Sequence, residues 1–187
     1  MKTILLTGAP CSGKTVIIEK LNQYYNGKTN IVTVGESITE IKRMGIYWEW
    51  INDTLRFQKI VSAYQVMRER LLQSNLEDKE GYIIYDRGVL DGLAYFDNDK
   101  DIEYIMKECQ INNLHYDIVL ILQSAYTAKN VPHADLQKRN EDRAKIQQLE
   151  ERLRNIYEKS CSNIFWIQGT ANIEAKFQNI IEILENL

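Results

Sequence analysis

The chain is poor in the residues that punctuate or staple a fold. Only two prolines occur in 187 residues, Pro10 and Pro132, and both fall in expected loops. That scarcity excludes a proline-rich linker. The three cysteines, Cys11, Cys109 and Cys161, lie far apart. Their odd number fits no closed disulfide set, and no pair has metal-ligand spacing. A reducing, cytoplasmic setting is the expectation. There is no excess of positive charge, with 23 Lys and Arg against 26 Asp and Glu and a formal net charge of −3. A general nucleic-acid binder would normally be basic, so this balance argues against one. No apolar run approaches the roughly 18 residues that span a bilayer. No charged leader followed by a long apolar stretch comes after Met1, so neither membrane span nor signal peptide is expected.

What remains is ample material for a packed core. Hydrophobic residues make up 44% and charged residues 26% of the chain, the balance of an ordinary globular domain. The length fits one domain covering residues 1–187, and no repeat or low-complexity run divides it. Five short apolar runs read as strands: 3–8, 30–36, 82–86, 116–122 and 163–168. Several are apolar at successive positions, the pattern of strands buried on both faces. Helical spacing fills the intervals, which implies a parallel sheet covered on both sides. Helices are expected over 14–25, 48–74, 135–159 and 172–186. In the second of these, Phe57, Ile60, Val61, Tyr64, Met67 and Leu71 form the expected apolar stripe. Gln58, Gln65, Arg68 and Glu69 form its expected polar face.

The densest chemistry lies near the start. Gly8-Ala9-Pro10-Cys11-Ser12-Gly13-Lys14-Thr15 follows a strand and opens a helix. It matches G-x-x-x-x-G-K-[ST] in full. Such a loop wraps with its backbone N–H groups turned inward toward phosphate oxygens. The helix that follows adds its positive end. Lys14 reaches the β- and γ-phosphates, and the Thr15 hydroxyl is a ligand for Mg²⁺. The expected cofactors are therefore ATP and Mg²⁺. No N-K-x-D follows the fourth strand, so nothing selects guanine. Asp78-Lys79-Glu80-Gly81 spells D-x-x-G but precedes the third strand and reads as accidental.

The third strand ends in Asp86-Arg87-Gly88. Strand C-termini in such sheets line the ligand crevice. Nucleoside-triphosphate motors carry two acids there, one for Mg²⁺ and one to activate water. Here Asp86 is the candidate metal-side acid, and an arginine follows it. Arg87 suits an anionic or hydroxyl-rich second substrate better than it suits water activation. Beyond the fourth strand, Arg139 and Arg143 are spaced to share a helix face. Two guanidinium groups there would meet the negative charge of a transferring phosphoryl group. His133, next to Pro132, reads as a loop residue rather than a catalyst.

The phosphate loop, the Asp86-Arg87-Gly88 strand end, and the pattern Trp48, Phe57-Gln58, Gln65, Glu69 together resemble a known group. They resemble the P-loop AAA-domain proteins related to the nicotinamide-riboside kinase domain. More distantly they resemble the deoxynucleoside and thymidylate kinases. The resemblance covers nearly the whole chain. It implies a three-layer α/β fold of nucleoside- or nucleotide-kinase type, with about five parallel strands. It implies Glu36, at the end of the second strand, as general base on an acceptor hydroxyl, with Asp86 as the rival. It implies Gln65 on the helix that reads the acceptor and Arg87 beside the acceptor hydroxyl or phosphate. Trp48 and Trp50 are candidate walls of that pocket. A lid-like segment around 125–145 would carry the two arginines. The loop containing Thr170 and Ala171 would touch the purine base.

The expected activity is Mg·ATP-dependent phosphotransfer to a small molecule such as a nucleoside or nucleotide. The alternative is a P-loop ATPase or a regulatory nucleotide-binding protein with no small-molecule acceptor.

Overall fold

The computed structural model describes residues 1–111, 115–125, 143–170 and 172–186. Five strands occur among them: β1 (Lys2–Thr7), β2 (Ile31–Val34), β3 (Tyr82–Asp86), β4 (Ile118–Leu122) and β5 (Ile164–Ile167). They form one all-parallel sheet in the order β2-β3-β1-β4-β5. The helices are α1 (Lys14–Tyr25), α2 (Ser37–Arg43), α3 (Trp48–Ile51), α4 (Thr54–Leu76), α5 (Asp99–Glu108), α6 (Arg143–Ser160) and α7 (Ile173–Glu185). A 3₁₀ turn spans Asp91–Tyr95. The five expected strands are all present: β3 has the expected bounds, β1 is shifted by one residue, and β2, β4 and β5 are shorter by a residue or two at their ends. No helix among the described residues is long and apolar enough to cross a membrane.

Alternation along each strand builds two cores, one on each sheet face. Leu5, Ile83, Tyr85, Val119 and Ile121 pack with residues of α4, α5 and α6. Ile4, Leu6, Ile84, Leu120 and Leu122 pack with Ile17 and Leu21 of α1 and Ile180 and Leu184 of α7. Both faces are dry, which is why the strands read as unbroken apolar runs.

Two expectations need correction. The helix expected over 48–74 is two helices. Asn52 takes a left-handed conformation (φ 44°) that ends α3, and Asp53 then caps α4 by accepting from the Arg56 N–H at 3.0 Å. An Asn–Asp pair suits this stop and restart, since each tolerates or caps a non-helical turn. The apolar stripe is also misplaced. Met67 and Leu71 are more than half exposed, whereas Ser62, Gln65 and Glu69 are buried. Gln65 and Glu69 find hydrogen-bond partners inside, which lets them take this face. Three elements lacked an expectation altogether: α2, the 3₁₀ turn and α5. Residues 135–142 of the expected 135–159 helix lie outside the described residues; α6 accounts for the rest.

Candidate active site

The sheet order places the site. The chain steps outward from β1 to β2, returns to β3 beside β1, then crosses to β4 on the other side. The C-terminal ends of β1, β2 and β3 therefore open into one crevice, at the point where the strand order reverses. The phosphate loop leaves β1, Glu36 and Ser37 follow β2, and Asp86 and Arg87 end β3. Register sets Asp86 opposite Leu6, one residue before the end of β1.

A cavity of about 380 Å³ lies over the loop, lined by Pro10 to Val16 together with Glu36, Asp86 and Arg87. Lys14 folds back over the loop. Its Nζ donates to the Gly8 carbonyl at 2.8 Å, the Ala9 carbonyl at 3.1 Å and Ser12 Oγ at 3.1 Å. Burial and the nearby Arg87 charge lower its pKa to about 8, opposed by Asp91, Asp86 and Glu36. Burial raises the Asp86 pKa, while Lys14 pulls it back. Thr15 is exposed at the rim of the cavity. A hydroxyl and a carboxylate on one wall are hard oxygen donors that fit Mg²⁺, which takes most remaining ligands from phosphate and water. Among the described residues no cluster of three His, Cys, Asp or Glu forms a protein-built metal cage.

Arg87 sits in a left-handed backbone conformation, φ 70°. That is uncommon for a residue with a side chain, and such strain gathers at functional sites. Its side chain is held from three directions. Nε donates to Glu36 Oε1 at 2.5 Å, and Nη1 reaches the Gly8 carbonyl and Asp91 Oδ2, each at 3.4 Å. Burial would lower the Arg87 pKa, but Asp91, Tyr95 and Glu36 outweigh it and keep the guanidinium charged. Glu36 precedes α2 and makes no capping hydrogen bond with its side chain. Its carboxylate is instead paired with Arg87 at the lining of the crevice.

Asp91 was missed in the sequence. It is 4% exposed and collects hydrogen bonds from Thr7 Oγ1 (2.7 Å), the Tyr157 hydroxyl (2.6 Å) and the Gly88 N–H (3.3 Å), besides Arg87. It joins β1, α6 and the turn after β3 at one buried carboxylate. An acid five residues beyond Asp86, on the edge of the same turn, was the available signal.

A second cavity, of about 190 Å³, opens on the other side of Glu36 and Arg87. Its walls come from α2, α4 and the 3₁₀ turn. Gln65 lines it, yet all four of its hydrogen-bonding positions are taken. Its Nε2 donates to Glu69 Oε1 at 2.5 Å and to the Arg87 carbonyl at 3.1 Å. Its Oε1 accepts from Ser37 Oγ and from Arg68 Nη2. An amide has no further capacity. Gln65 thus fixes the Arg87 turn instead of offering a free polar edge. Gln58 and Ser62 line the same cavity one turn apart, and neither side chain has a hydrogen-bond partner among the described residues. Ser62 is 1% exposed, and its hydroxyl is buried without a partner among the described residues.

The other expected residues lie elsewhere. Trp48 packs edge-on against Phe57, with ring centres 5.6 Å apart, and does not line the cavity. Trp50 is 74% exposed. Arg143 opens α6, is exposed, and lines neither cavity. Thr170 accepts from the Asn172 N–H at 3.1 Å in the turn before α7. Arg139, His133, Ala171 and most of the 125–145 segment lie outside the described residues.

Among curated proteins none matches the chain significantly. Of the solved structures, a deoxyadenosine kinase from M. mycoides with bound dATP aligns over 98% of this chain and 99% of its own. The TM-score is 0.65 at 16% sequence identity, a likeness of fold. The model of a family described as an AAA domain matches residues 3–176. The chain therefore belongs to this AAA-domain family of P-loop proteins, and its fold is that of the P-loop nucleotide and nucleoside kinases.

Proposed function

We propose that this protein transfers the γ-phosphoryl group of ATP to a hydroxyl of a small acceptor of nucleoside type, as one P-loop domain with a lid-like segment at 125–145. One observation carries the reading. The phosphate-loop cavity and the second cavity adjoin, and the residues they share are Glu36 and Arg87. A plain ATPase needs only the first cavity. The likeness to a deoxyadenosine kinase supports an acceptor with a sugar hydroxyl and a base.

The roles divide by position. The loop N–H groups from Cys11 to Thr15 would hold the phosphates, and Lys14 would exchange its carbonyl partners for β- and γ-oxygens. Thr15 and Asp86 would hold Mg²⁺, which supplies charge neutralisation to the phosphates. Glu36 would accept the acceptor hydroxyl proton as the new O–P bond forms and the bond to the bridging oxygen breaks. Glu36 is preferred to Asp86 as base because it borders both cavities, whereas Asp86 borders only the phosphate side. Arg87 would orient the acceptor oxygen and meet developing negative charge. Arg139 and Arg143 would add positive charge from the lid, and Thr170 and Ala171 would border the adenine. Gln58 offers a donor and an acceptor side by side, the complement of a nucleobase or carboxamide edge.

The test is a product assay. The protein is incubated with Mg·ATP and a panel of nucleosides, nucleotides and nicotinamide riboside, and phosphorylated products are read by mass spectrometry. A monophosphorylated nucleoside is expected. Steady ATP hydrolysis with no phosphorylated acceptor would give the ATPase reading instead.

A further inference from the structure

The phosphate loop rests on a second lysine that its motif does not contain. Lys176, in the first turn of α7, is 2% exposed. Its Nζ donates to the Ser12 carbonyl at 2.9 Å and to the Gln123 carbonyl, just past β4, at 2.7 Å. Among the described residues no carboxylate forms an ion pair with it. A buried ammonium whose hydrogen bonds among the described residues go to two neutral carbonyls is expensive for stability, and an apolar side chain of the same length would fill the space more cheaply. Burial lowers its pKa to about 8, with Glu150 opposing. The position calls for an explanation other than packing.

The geometry of the peptide unit supplies one. In a planar trans peptide the C=O and the N–H of the next residue point in opposite directions. A lysine that holds the Ser12 carbonyl underneath the loop therefore turns the Gly13 N–H to the opposite side. The cavity lined by Ser12, Gly13 and Lys14 borders this same peptide unit. The first turn of α7 is seated tightly there. Gly13 has φ +89°, and a Cβ on it would lie 2.9 Å from Ile173 Cδ1. Asn172 caps α7 by accepting from the Glu174 and Ala175 N–H groups at 3.0 and 3.2 Å. Glu174 is tied to Lys20 of α1. The floor under the loop is thus fixed at both ends.

We propose that Lys176 is a positioning residue of the phosphate site: it clamps the Ser12 carbonyl, aims the Gly13 N–H at the phosphate, and places a buried positive charge behind the loop. Lys14 then meets the phosphate directly, and Lys176 acts through the backbone from below. An arriving polyphosphate adds counter-charge to that which Glu150 supplies. This inference rests only on the phosphate-binding half of the proposed function.

Binding, not turnover, tests it. Inorganic tripolyphosphate is titrated calorimetrically at pH 7 into wild type, Lys14→Ala, Lys176→Met and an Ile180→Val control on the same helix. Lys176→Met is expected to bind at least tenfold more weakly than wild type, with Ile180→Val within twofold. If the methionine variant does not fold, Lys176→Gln takes its place with the same expectation. Unchanged affinity in the folded Lys176 variant overturns the proposal. So does an equal loss in Ile180→Val, which would make the role one of packing. If wild type does not bind tripolyphosphate, or Lys14→Ala binds it unchanged, the phosphate-loop reading itself fails. A missing acceptor in the product assay leaves the lysine clamp standing.

Discussion

A Cβ on Gly88 would lie 2.6 Å from the Tyr157 hydroxyl and 2.7 Å from the Tyr116 hydroxyl. Neither hydroxyl can easily retreat. Tyr157 donates to Asp91, and Tyr116 donates to Glu69 while accepting from the Val89 N–H at 3.0 Å. The glycine of the Asp86-Arg87-Gly88 strand end is therefore a matter of space. Gly88→Ala should cost about 1–3 kcal/mol, the usual penalty of overpacking, read from urea unfolding. A loss below about 0.5 kcal/mol, as for an ordinary surface change, would mean that the two tyrosines relax freely. At this scale the sequence is readable only where chemistry is local. The phosphate loop declares itself in eight consecutive residues. Asp91, Gln58 and Ser62 do not, because their significance comes from cavities built by distant segments.

At the scale of elements, α4 is the instructive case. Its inward stripe contains Phe57 and Val66 but also Ser62, Gln65 and Glu69. Periodicity assigns polar residues to water, and it fails here because the partners are remote. Glu69 is met by the Tyr116 hydroxyl at 2.9 and 2.8 Å, from 47 positions away. Burial raises the Glu69 pKa to about 7, against lowering by Gln65, Tyr116 and Arg68. The sign follows directly. Between about pH 4.5 and 7 the folded chain keeps a proton that the unfolded chain has released. Stability from this group is thus lost as the pH rises through that window, by up to about 3 kcal/mol at 1.36 kcal/mol per unit. Glu69→Gln should flatten the fall in unfolding free energy between pH 5 and pH 8, measured by urea titration at both values. An unchanged slope would place the titration elsewhere. The helix break at Asn52–Asp53 was legible in retrospect from the capping residues themselves. By contrast the strands were legible at once, since two dry faces leave an unbroken apolar run.

At the scale of the molecule, the order β2-β3-β1-β4-β5 explains why separate segments converge. Three strand ends meet beside the phosphate loop and bring Glu36, Asp86 and Arg87 to one crevice. None of that order is written in local periodicity; the resemblance to P-loop kinases implied a parallel sheet of about five strands but not the order in which they lie. The central claim is that phosphate donor and acceptor face each other across Glu36. Its most direct measurement is a single-turnover transfer rate for Glu36→Gln beside its ATP affinity, using the acceptor found in the product assay. The account predicts a transfer rate lowered at least about 100-fold, the usual loss on removing a general base, with ATP bound as in wild type. A Glu36→Gln variant that transfers phosphate at the wild-type rate would contradict it.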